Sequence, residues 1–422
     1  MAMVKKPVTG MKDILPEEMQ IRDYLIGLIK ETYRSFGFTP METPCVESIE
    51  NLSSKQGGEN EKLIFRILKR GEKFNLESAT CAEDLVDSGL RYDLTVPLAR
   101  YYSNNTAKLP SPFKALQIGS VFRADRPQKG RFRQFTQCDI DILGEASELA
   151  EIELILATTT CLGRIGFKGF VIRINDRRIL KAMSAYSGFR EEDFEEVCII
   201  LDKMDKIGLD GVKAELLEAG YAQDAVNKYL SLFEAGESEG EDRLSVIGKI
   251  LTEAGDLEEE VLTRLQTIMK VVGEASTTEF KLDFDPTLVR GMGYYTGTIY
   301  EIGVEGFPGA VGGGGRYDEM VGRFAGQKTC ACGFSIGFER IITILMDEGF
   351  KVPEEGAKKA ILLDKDLPAE RYAEVFKRAG ELRAEGKTVL VQTKNKNFKF
   401  QKEQLLSQGY EDIEVVYKDE WK

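Results

Sequence analysis

The feature that most restricts the fold of this chain is a strand-rich sequence interrupted by a long helical stretch. Residues 113–174 and 280–336 contain short apolar runs of the length typical of β-strands. Residues 177–275 instead repeat apolar side chains at helical spacing and include the acidic tracts GESEGEDR and DLEEEV. Because the strand pattern resumes after the helices, we predict that residues 177–275 are a helical insertion in a larger α+β domain.

The two ends of the chain have different patterns. Asp13 and Pro16 mark the start of a long amphipathic helix that ends near Gly37. After residue 357, strand and helix segments alternate, which predicts a small α/β domain with a parallel sheet. We therefore divide the chain into residues 1–176, 177–275, 276–352 and 357–422, and we expect the first and third of these sections to form one domain.

Histidine is absent from all 422 residues, which removes several kinds of chemistry. A Ser-His-Asp triad, a histidine-ligated zinc and an imidazole general base are all excluded. The G-x-S-x-G pattern at residues 333–337 therefore leaves Ser335 without its usual base, and we do not interpret it as a nucleophile. Any reaction has to use other groups, which suits a reaction whose nucleophile comes with the substrate.

The overall charge and the apolar segments limit the partners of the protein. A net charge of −13 argues against a surface that is basic throughout, but local basic patches can still bind nucleic acid. The longest apolar stretches are strand-length, so we expect no contact with a membrane. The first residues lack the apolar core of a secretory signal, and the seven cysteines contain no C-x-x-C pair. These features predict a cytoplasmic protein with reduced thiols.

The strongest chemical motif is the segment FRADRPQKGRFRQFTQCDIDILG at residues 122–144. Its pattern predicts two strands joined by a basic loop, with acidic and amide side chains on the strands. Guanidinium groups match phosphates and carboxylates bidentately, so such a hairpin could hold a nucleotide at one strand and nucleic-acid phosphates at its tip. The alternative is a solvated basic loop without a ligand.

Taken with four further stretches, this motif resembles the histidyl-tRNA synthetases, which are class II aminoacyl-tRNA synthetases. The stretches are LRYDLTVPLARY at 90–101, LVRGMGYYTGT at 288–298, GGGGRYD at 312–318 and GFSIGFERI at 333–341. The resemblance implies an antiparallel sheet flanked by helices, with a catalytic domain made of residues 1–176 and 276–352. It also implies a homodimer that converts L-histidine and ATP, with Mg²⁺, to histidyl-adenylate and pyrophosphate and then transfers the histidine to tRNA.

The same resemblance assigns the triphosphate of ATP to three arginines. Arg123 matches the arginine near the α-phosphate and the amino acid carboxylate, and Arg340 matches the arginine that pairs with the γ-phosphate. Arg290 matches an arginine that assists attack at the α-phosphate, so Arg123 and Arg290 are the expected catalytic residues. The alternative for Arg340 is an arginine on a helix surface with no ligand.

Recognition of histidine is expected from a second set of side chains. The resemblance implies that Asp93, Thr95 and Gln137 bind the α-amino group, and that Asp141 and Tyr295 bind the two imidazole nitrogens. A carboxylate acceptor and a hydroxyl suit a ring with two different nitrogens. The full set of expected histidine contacts is Asp93, Thr95, Gln137, Asp141, Arg290, Tyr294, Tyr295 and Tyr317.

Simpler explanations exist for the tyrosine pair and for the glycine run. Tyr294 and Tyr295 could be core residues of a strand, and only one of them can face a pocket because neighbours alternate. The resemblance selects Tyr295. Four consecutive glycines at residues 312–315 permit close approach of a ligand or positive φ, so we predict a ligand-binding loop there. The alternative is a flexible loop.

Two regions are expected to contact tRNA. By resemblance, the basic loop meets the acceptor end through Arg126, Gln128, Lys129 and Arg131. Residues 357–422 resemble a shortened anticodon-binding module, in which lysines are interleaved with Phe398 and Phe400. The alternative for this segment is an amphipathic helix with solvated lysines.

Two other functions are compatible with the same fold. The regulatory subunit of ATP phosphoribosyltransferase resembles histidyl-tRNA synthetases and senses histidine without charging tRNA. A further alternative is an RNA-binding protein with an inactive synthetase fold. Arg123, Arg290 and Arg340 favour the enzyme, because the regulatory subunit usually lacks the arginines that handle ATP.

Overall fold

The computed structural model divides the chain into two compact units, Met1–Phe350 and Lys351–Lys422. No helix among the described residues is both long and apolar enough to cross a membrane. Each unit has a β-sheet and is described separately below. The residues that the structure describes are 3–53, 63–128, 130–235, 242–290, 295–307, 309–353, 356–365 and 367–418.

The first unit contains strands from widely separated parts of the chain. Its strands are β1 (Thr39–Pro40), β2 (Val46–Ser48), β3 (Arg66–Leu68), β4 (Val86–Leu90), β5 (Phe113–Phe122), β6 (Gln134–Leu143), β7 (Val171–Asp176), β8 (Lys281–Phe284), β9 (Thr298–Gly303), β10 (Gly312–Arg316) and β11 (Ala331–Ile336). Its helices are α1 (Pro16–Ser35), α2 (Ile49–Leu52), α3 (Thr95–Asn105), α4 (Leu149–Ile165), α5 (Arg177–Ser187), α6 (Phe194–Leu201), α7 (Met204–Glu218), α8 (Gln223–Ala235), α9 (Arg243–Ala254), α10 (Glu259–Ala275), α11 (Asp318–Ala325) and α12 (Phe338–Asp347).

Eight of these strands form one sheet in the order β1-β5-β6-β11-β10-β9-β7-β8. The central pairs are antiparallel, and the two edge pairs, β1–β5 and β7–β8, are parallel. Helices lie against this sheet, so the predicted α+β class with an antiparallel sheet flanked by helices is confirmed. The predicted hairpin is the pair β5–β6, which stays in register from Phe113 opposite Leu143 to Phe122 opposite Gln134.

Among the described residues, helices α5 to α10 lie between the parallel strands β7 and β8 in the sequence. A parallel pair cannot be joined by a tight turn and needs a long crossover, which these helices provide. Helix α5 starts directly after β7, where the Asp176 carboxylate accepts a hydrogen bond of 2.8 Å from the Arg178 amide. The aromatic rings of Phe189, Tyr229 and Phe233 pack edge to face between the helices, with Tyr229 in the centre.

The glycine run at residues 312–315 lies in strand β10 and is buried in the middle of the sheet. The predicted loop is therefore wrong, although Gly313 and Gly314 of the strand line a cavity that is described below. A β-carbon added at Gly314 would overlap the carbonyl oxygen of Gly333 and lie 2.8 Å from Cε2 of Tyr300. One added at Gly315 would lie 2.5 Å from the carbonyl oxygen of Thr298. The strand lacks side chains because its neighbours occupy the space, and not because the backbone has to bend.

Helix α1 anchors the N-terminal residues to the sheet domain. It begins with Pro16 and two glutamates, which suit a helix N-terminus because of the missing amide and the helix dipole. Ile21, Leu25 and Ile29 form its buried face, and the helix packs against α4 and α12. The buried Arg316 of β10 ties α4 to the sheet through two hydrogen bonds of 2.7 Å to Glu151.

The second unit is a small α/β domain. Its elements are β12 (Lys358–Leu363), α13 (Ala369–Ala384), β13 (Thr388–Thr393), α14 (Phe398–Ser407) and β14 (Asp412–Val416). The three strands are parallel in the order β13-β12-β14, as the alternating pattern predicts. Ile361 and Leu363 pack with Val375 of α13, whereas Leu362 packs with Leu405 of α14. The two faces of the central strand are thus covered by different helices.

The close contacts of strand β10 lead to a stability prediction. We expect Gly314→Ala to lower the free energy of unfolding by about 3 kcal/mol, because the added methyl group overlaps backbone atoms that cannot move independently. Chemical denaturation with urea measures the change. Gly273→Ala is the matched control: Gly273 lies exposed in α10 with open space around it, and alanine there should stabilise by about 0.5–1 kcal/mol. Equal stability of the Gly314 variant and the unsubstituted chain would contradict the prediction.

Candidate active site

A small cavity lies over one face of the central strand β6. Gln137, Asp139 and Asp141 alternate along this strand, so their side chains share that face. In the adjoining strand, Ser335 lies opposite Asp139 and Gly333 lies opposite Asp141. The cavity has a volume of about 200 Å³ and is lined by Tyr92, Asp93, Thr95, Arg123, Gln137, Asp139, Asp141, Tyr295, Gly313, Gly314, Tyr317, Gly333, Phe334 and Ser335.

The structure brings six of the eight predicted histidine contacts to this cavity. Asp93 and Thr95 come from the start of α3, and the other four come from β6 and from segments beside β10. Arg290 lies in the neighbouring, larger cavity. Tyr294 lies outside the described residues. The six are Asp93, Thr95, Gln137, Asp141, Tyr295 and Tyr317.

The Asp141 carboxylate has one occupied and one available oxygen. The Tyr317 hydroxyl donates a hydrogen bond of 2.6 Å to Oδ1, whereas Oδ2 is buried and has no hydrogen-bond partner among the described residues. A β-carbon on Gly333 would overlap Oδ1, so a side chain at this position would displace the carboxylate. Burial raises the pKa of Asp141 from 3.8 to about 7, while the hydrogen bond from Tyr317 opposes the rise. Tyr317 thus orients Asp141 with Oδ2 available to a donor.

The smaller cavity is lined by acidic side chains. Asp93, Asp139 and Asp141 are all buried, and desolvation raises the pKa of each carboxyl group. The Asp93 side chain accepts a hydrogen bond of 3.1 Å from the Val96 amide in the first turn of α3. A cationic ligand would favour the ionised carboxylates, because it brings a further opposite charge close to them. The pocket is therefore suited to a small molecule that carries an ammonium group.

A larger cavity of about 370 Å³ adjoins the first one and is basic. Arg123, Arg290 and Arg340 line it, although they come from three distant parts of the sequence. Arg131 of the hairpin loop also contributes. Burial and the charges of Arg290 and Arg131 lower the pKa of Arg340, which places these cations close together. Clustered guanidinium groups repel one another unless an anion lies between them, so this cavity is suited to phosphates.

Each of the three arginines is held in place by different neighbouring groups. The Nε of Arg123 donates to the Tyr92 carbonyl over 2.9 Å, and its guanidinium carbon lies 5.1 Å from the Phe135 ring centroid. The Nε of Arg290 donates to Glu301 over 2.6 Å, and Glu301 also binds Arg173. A guanidinium nitrogen of Arg340 donates to the Ala310 carbonyl. Arg340 is half-buried at the start of α12 and lines the larger cavity.

A buried ion-pair network connects α1 to both sides of the larger cavity. Arg22 donates hydrogen bonds of 2.6 Å and 2.8 Å to Glu339, which directly precedes Arg340. Glu339 accepts the backbone amide of Thr136 over 3.0 Å, and Arg22 also pairs with Glu18. Sequence analysis missed this network. Its signal was Arg22 within the apolar stripe of α1, where a charged residue requires a buried partner.

The loop residues expected at the acceptor end of tRNA are only partly at the site. Arg126 and Gln128 are exposed and line neither cavity, whereas Arg131 lines the larger one. Backbone hydrogen bonds between Gln128 and Arg131 close the loop, and Asp125 pairs with Arg131 over 3.0 Å. Lys129 lies outside the described residues. The loop thus presents polar side chains to solvent beside the basic cavity.

The raised pKa of Asp141 makes a pH-dependent contribution to stability. A carboxyl group whose pKa rises on folding stabilises the folded state at low pH, and this contribution is lost as pH rises through about 7. Between pH 5 and pH 8 the loss from this one group is about 3 kcal/mol. Over this pH range, the free energy of unfolding measured in urea should therefore fall by about 3 kcal/mol less for Asp141→Asn than for the unsubstituted chain.

The matched control for this prediction is Asp224→Asn. Asp224 is exposed in the first turn of α8, and its replacement should leave the pH dependence of the unsubstituted chain in place. The same pH dependence in the Asp141 variant and in the unsubstituted chain would contradict the assignment of the titration to Asp141.

Several known proteins are similar to this chain. The family model described as histidyl-tRNA synthetase matches residues 10–341. A histidine–tRNA ligase of Leifsonia xyli subsp. xyli is 43% identical over 418 residues, which cover 98% of this chain and 95% of that protein. The crystal structure of histidyl-tRNA synthetase from Nostoc sp. PCC 7120 matches with a TM-score of 0.77 and 29% identity, over 97% of this chain and 90% of that one.

A third comparison shows the same fold in a more distant protein. An ATP phosphoribosyltransferase regulatory subunit/histidyl-tRNA synthetase from Bacillus halodurans C matches with a TM-score of 0.76 and 20% identity, over 99% of both chains. Identity this low shows a shared fold alone. The family assignment therefore rests on the sequence model, which covers most of the chain, and on the relative at 43% identity. The chain belongs to the histidyl-tRNA synthetase family.

Proposed function

We propose that the chain is a histidine–tRNA ligase, which activates L-histidine with ATP to histidyl-adenylate and pyrophosphate and then transfers the histidine to its tRNA. The observation that carries the proposal is a pair of adjoining cavities of opposite charge. Buried carboxylates line the smaller cavity, and arginines line the larger one. This pair matches one substrate with a cationic amino group and another with an anionic triphosphate.

The border between the cavities is where the two substrates have to meet. Arg123, Gln137 and Ser335 line both cavities. For adenylate formation, the carboxylate of histidine has to reach the α-phosphate of ATP, and a bound pair held in contact reacts much faster than separate molecules. Arg123 is suited to this border because one guanidinium group can contact both anions and reduce their mutual repulsion.

Within the smaller cavity we assign histidine to the predicted residues. The α-ammonium group is bound by Asp93, Thr95 and Gln137, each of which offers an oxygen acceptor. The imidazole ring is bound by Asp141 and Tyr295, with the Asp141 Oδ2 accepting from a ring N–H. Tyr317 acts through Asp141, since its hydroxyl fixes the other carboxylate oxygen. The unpartnered Oδ2 of Asp141 and Oε1 of Gln137 support these assignments.

Within the larger cavity we assign the triphosphate to the arginines. Arg123 and Arg290 act at the α-phosphate, where charge develops as the substrate carboxylate attacks, and Arg340 binds the γ-phosphate. Preorganised cations stabilise such charge without moving during the reaction. The nucleophiles are the histidine carboxylate and then a tRNA hydroxyl. The chain therefore needs no imidazole of its own, which is compatible with the absence of histidine.

Mg²⁺ is expected from the family resemblance to accompany ATP. Among the described residues, no group of three metal-binding side chains lies together. Two carboxylates line the larger cavity, and both are already bound to arginines: Asp125 to Arg131 and Glu339 to Arg22. We therefore assign no residue to Mg²⁺ and derive no step through it.

The proposal extends to tRNA and to the organisation of the chain. Residues 1–176 and 276–352 form the catalytic domain, residues 177–275 are an insertion, and residues 357–422 act as a shortened anticodon-binding module. The exposed side chains of Lys399, Lys402 and Phe400 on α14 support the last assignment, because cations suit phosphates and rings suit bases. A homodimer in the cytoplasm is part of the same proposal and follows from the family resemblance.

Histidine-dependent exchange of pyrophosphate into ATP tests the first step directly. The unsubstituted chain should show it, whereas a histidine-sensing regulatory protein would bind histidine without exchange. Arg340→Ala should reduce the exchange rate at fixed ATP by about 100-fold or more, because it removes a charge that the triphosphate needs. Arg323→Ala is the matched control, since Arg323 is exposed on α11 and lines neither cavity. Absence of exchange in the unsubstituted chain would refute the proposed function.

The second step can be separated from the first through the hairpin loop. Arg126 is exposed and outside both cavities, so Arg126→Ala should leave pyrophosphate exchange unchanged. If Arg126 contacts a tRNA phosphate, the variant should raise the KM for tRNA in aminoacylation and reduce its salt dependence by about one unit of log–log slope. The measurement is KM for tRNA at several KCl concentrations. An unchanged KM and slope would exclude Arg126 from the tRNA contact.

A further inference from the structure

The side-chain amide of Gln137 lies at the border of the two cavities, and its orientation determines what the smaller one can bind. Its Nε2 donates to Ser335 Oγ over 3.2 Å and lies 3.3 Å and 3.5 Å from the two oxygens of Asp139. Its Oε1 is buried and has no hydrogen-bond partner within the part of the chain that the structure describes. The amide therefore presents an acceptor, and not a donor, to a ligand.

The Asp139 carboxyl group accepts from the amide and so favours this orientation. An ionised carboxylate can only accept hydrogen bonds, so it selects the NH₂ end of the neighbouring amide. In the opposite orientation, Oε1 would face the carboxylate oxygens, and Nε2 would point its hydrogens into the pocket. An ammonium group has three donors and no acceptor, so the turned amide would repel it. The charge of Asp139 thus decides whether Gln137 can bind an amino group.

The surroundings of Asp139 couple its charge to the ligand. The residue is only 3% exposed, and Ser335 lies opposite it in the adjoining strand. Burial and the carboxylate of Asp141 raise the pKa of Asp139 well above its usual range, and a hydrogen bond from Ser335 opposes the rise. A cation in the pocket favours the ionised form. Binding of an ammonium group therefore strengthens the same contact that orients its acceptor.

We propose that Asp139 is a positioning residue that holds the Gln137 amide with Oε1 toward the pocket and so makes the site selective for an α-ammonium group. The inference rests on the proposed function, since it takes histidine as the ligand. Asp139 also lines the pocket, and its effect on the amino group is exerted through Gln137. The sequence resemblance assigns no role to this residue, and only the amide geometry indicates one.

Asp139→Asn is the first test because it removes the charge with little change in shape. An asparagine can donate as well as accept, so it no longer fixes the neighbouring amide. In pyrophosphate exchange, KM for histidine should rise about tenfold while KM for ATP stays within about twofold. Calorimetric titration with histidine alone should show the same weakening. An unchanged affinity for histidine would overturn the proposal.

Two histidine analogues identify the group that is recognised. Histidinol keeps the ammonium group and lacks the carboxylate, whereas imidazole-4-propionate keeps the carboxylate and lacks the ammonium group. Asp139→Asn should weaken inhibition by histidinol about tenfold and leave inhibition by imidazole-4-propionate unchanged. Equal weakening of both inhibitors would indicate general damage to the pocket and would reject the positioning role.

An exchange of the two side chains gives a rescue experiment. Gln137→Glu alone places a second carboxylate against Asp139 and should also raise KM for histidine. In the double variant Gln137→Glu with Asp139→Asn, the asparagine NH₂ can donate to one glutamate oxygen and leave the other oxygen facing the pocket. KM for histidine should then return to within about threefold of the unsubstituted value. A double variant that binds histidine no better than the weaker single variant would overturn the proposal.

Controls separate positioning from folding and from the proposed function. Ile140→Val trims a buried side chain on the same strand, one position from Asp139, and should lower the unfolding temperature without changing KM for histidine. If Asp139→Asn does not fold, Ser335→Ala removes the other acceptor of the amide and should raise KM for histidine; no rise would count against the proposal. If the unsubstituted chain exchanges pyrophosphate and the Asp139 variants keep its KM for histidine, this inference alone is rejected. Failure of exchange and of histidine binding in the unsubstituted chain rejects both.

Discussion

The first unit depends on removing carboxylates from water on one face of its central sheet. Asp139 and Asp141 lie on β6, and the sheet can accommodate them because Gly333 in the adjacent strand has no side chain. Burying a charge is costly unless another group compensates, so a bound cation would stabilise the ionised form of these groups. The hydroxyl of Tyr317 provides one hydrogen bond to this region. The Val96 amide donates to Asp93, and the Gln137 amide donates to Asp139, while the Asp141 Oδ2 has no hydrogen-bond partner among the described residues.

The larger cavity, which is lined by arginines, lies beside the carboxylate-lined cavity. Burial and the charges of Arg290 and Arg131 lower the pKa of Arg340. Each arginine is nevertheless held in place by neighbours, such as Glu301 for Arg290 and Phe135 for Arg123. A cationic group bound in the smaller cavity and an anionic group bound in the larger one would balance the charges of the two linings. This arrangement explains why a chain of net charge −13 can still offer a site for a triphosphate.

Much of this organisation could be predicted from the sequence, but unevenly. The helical stretch, the hairpin around residues 122–144 and the parallel sheet of the second unit follow from local periodicity, which depends on residues near one another in the chain. The predicted histidine and ATP residues depended on resemblance, because cavities join distant segments. Periodicity could not reveal strand β10, since four glycines have no alternating pattern, nor the pairing of Arg22 with Glu339, which are separated by 317 positions. Asp139 was missed because its role depends on the orientation of one amide.

The glycine strand β10 also limits how this protein can change over evolutionary time. Every single-base change that replaces a glycine codon by another amino acid adds at least a methyl group. At residues 312–315 such a group would meet backbone or side-chain atoms at 3.0 Å or less. Few substitutions at these four positions should therefore be tolerated, whereas exposed helix positions such as Gly273 can vary. Sequence variation among descendants of this chain should accumulate in the helices long before it reaches the centre of the sheet.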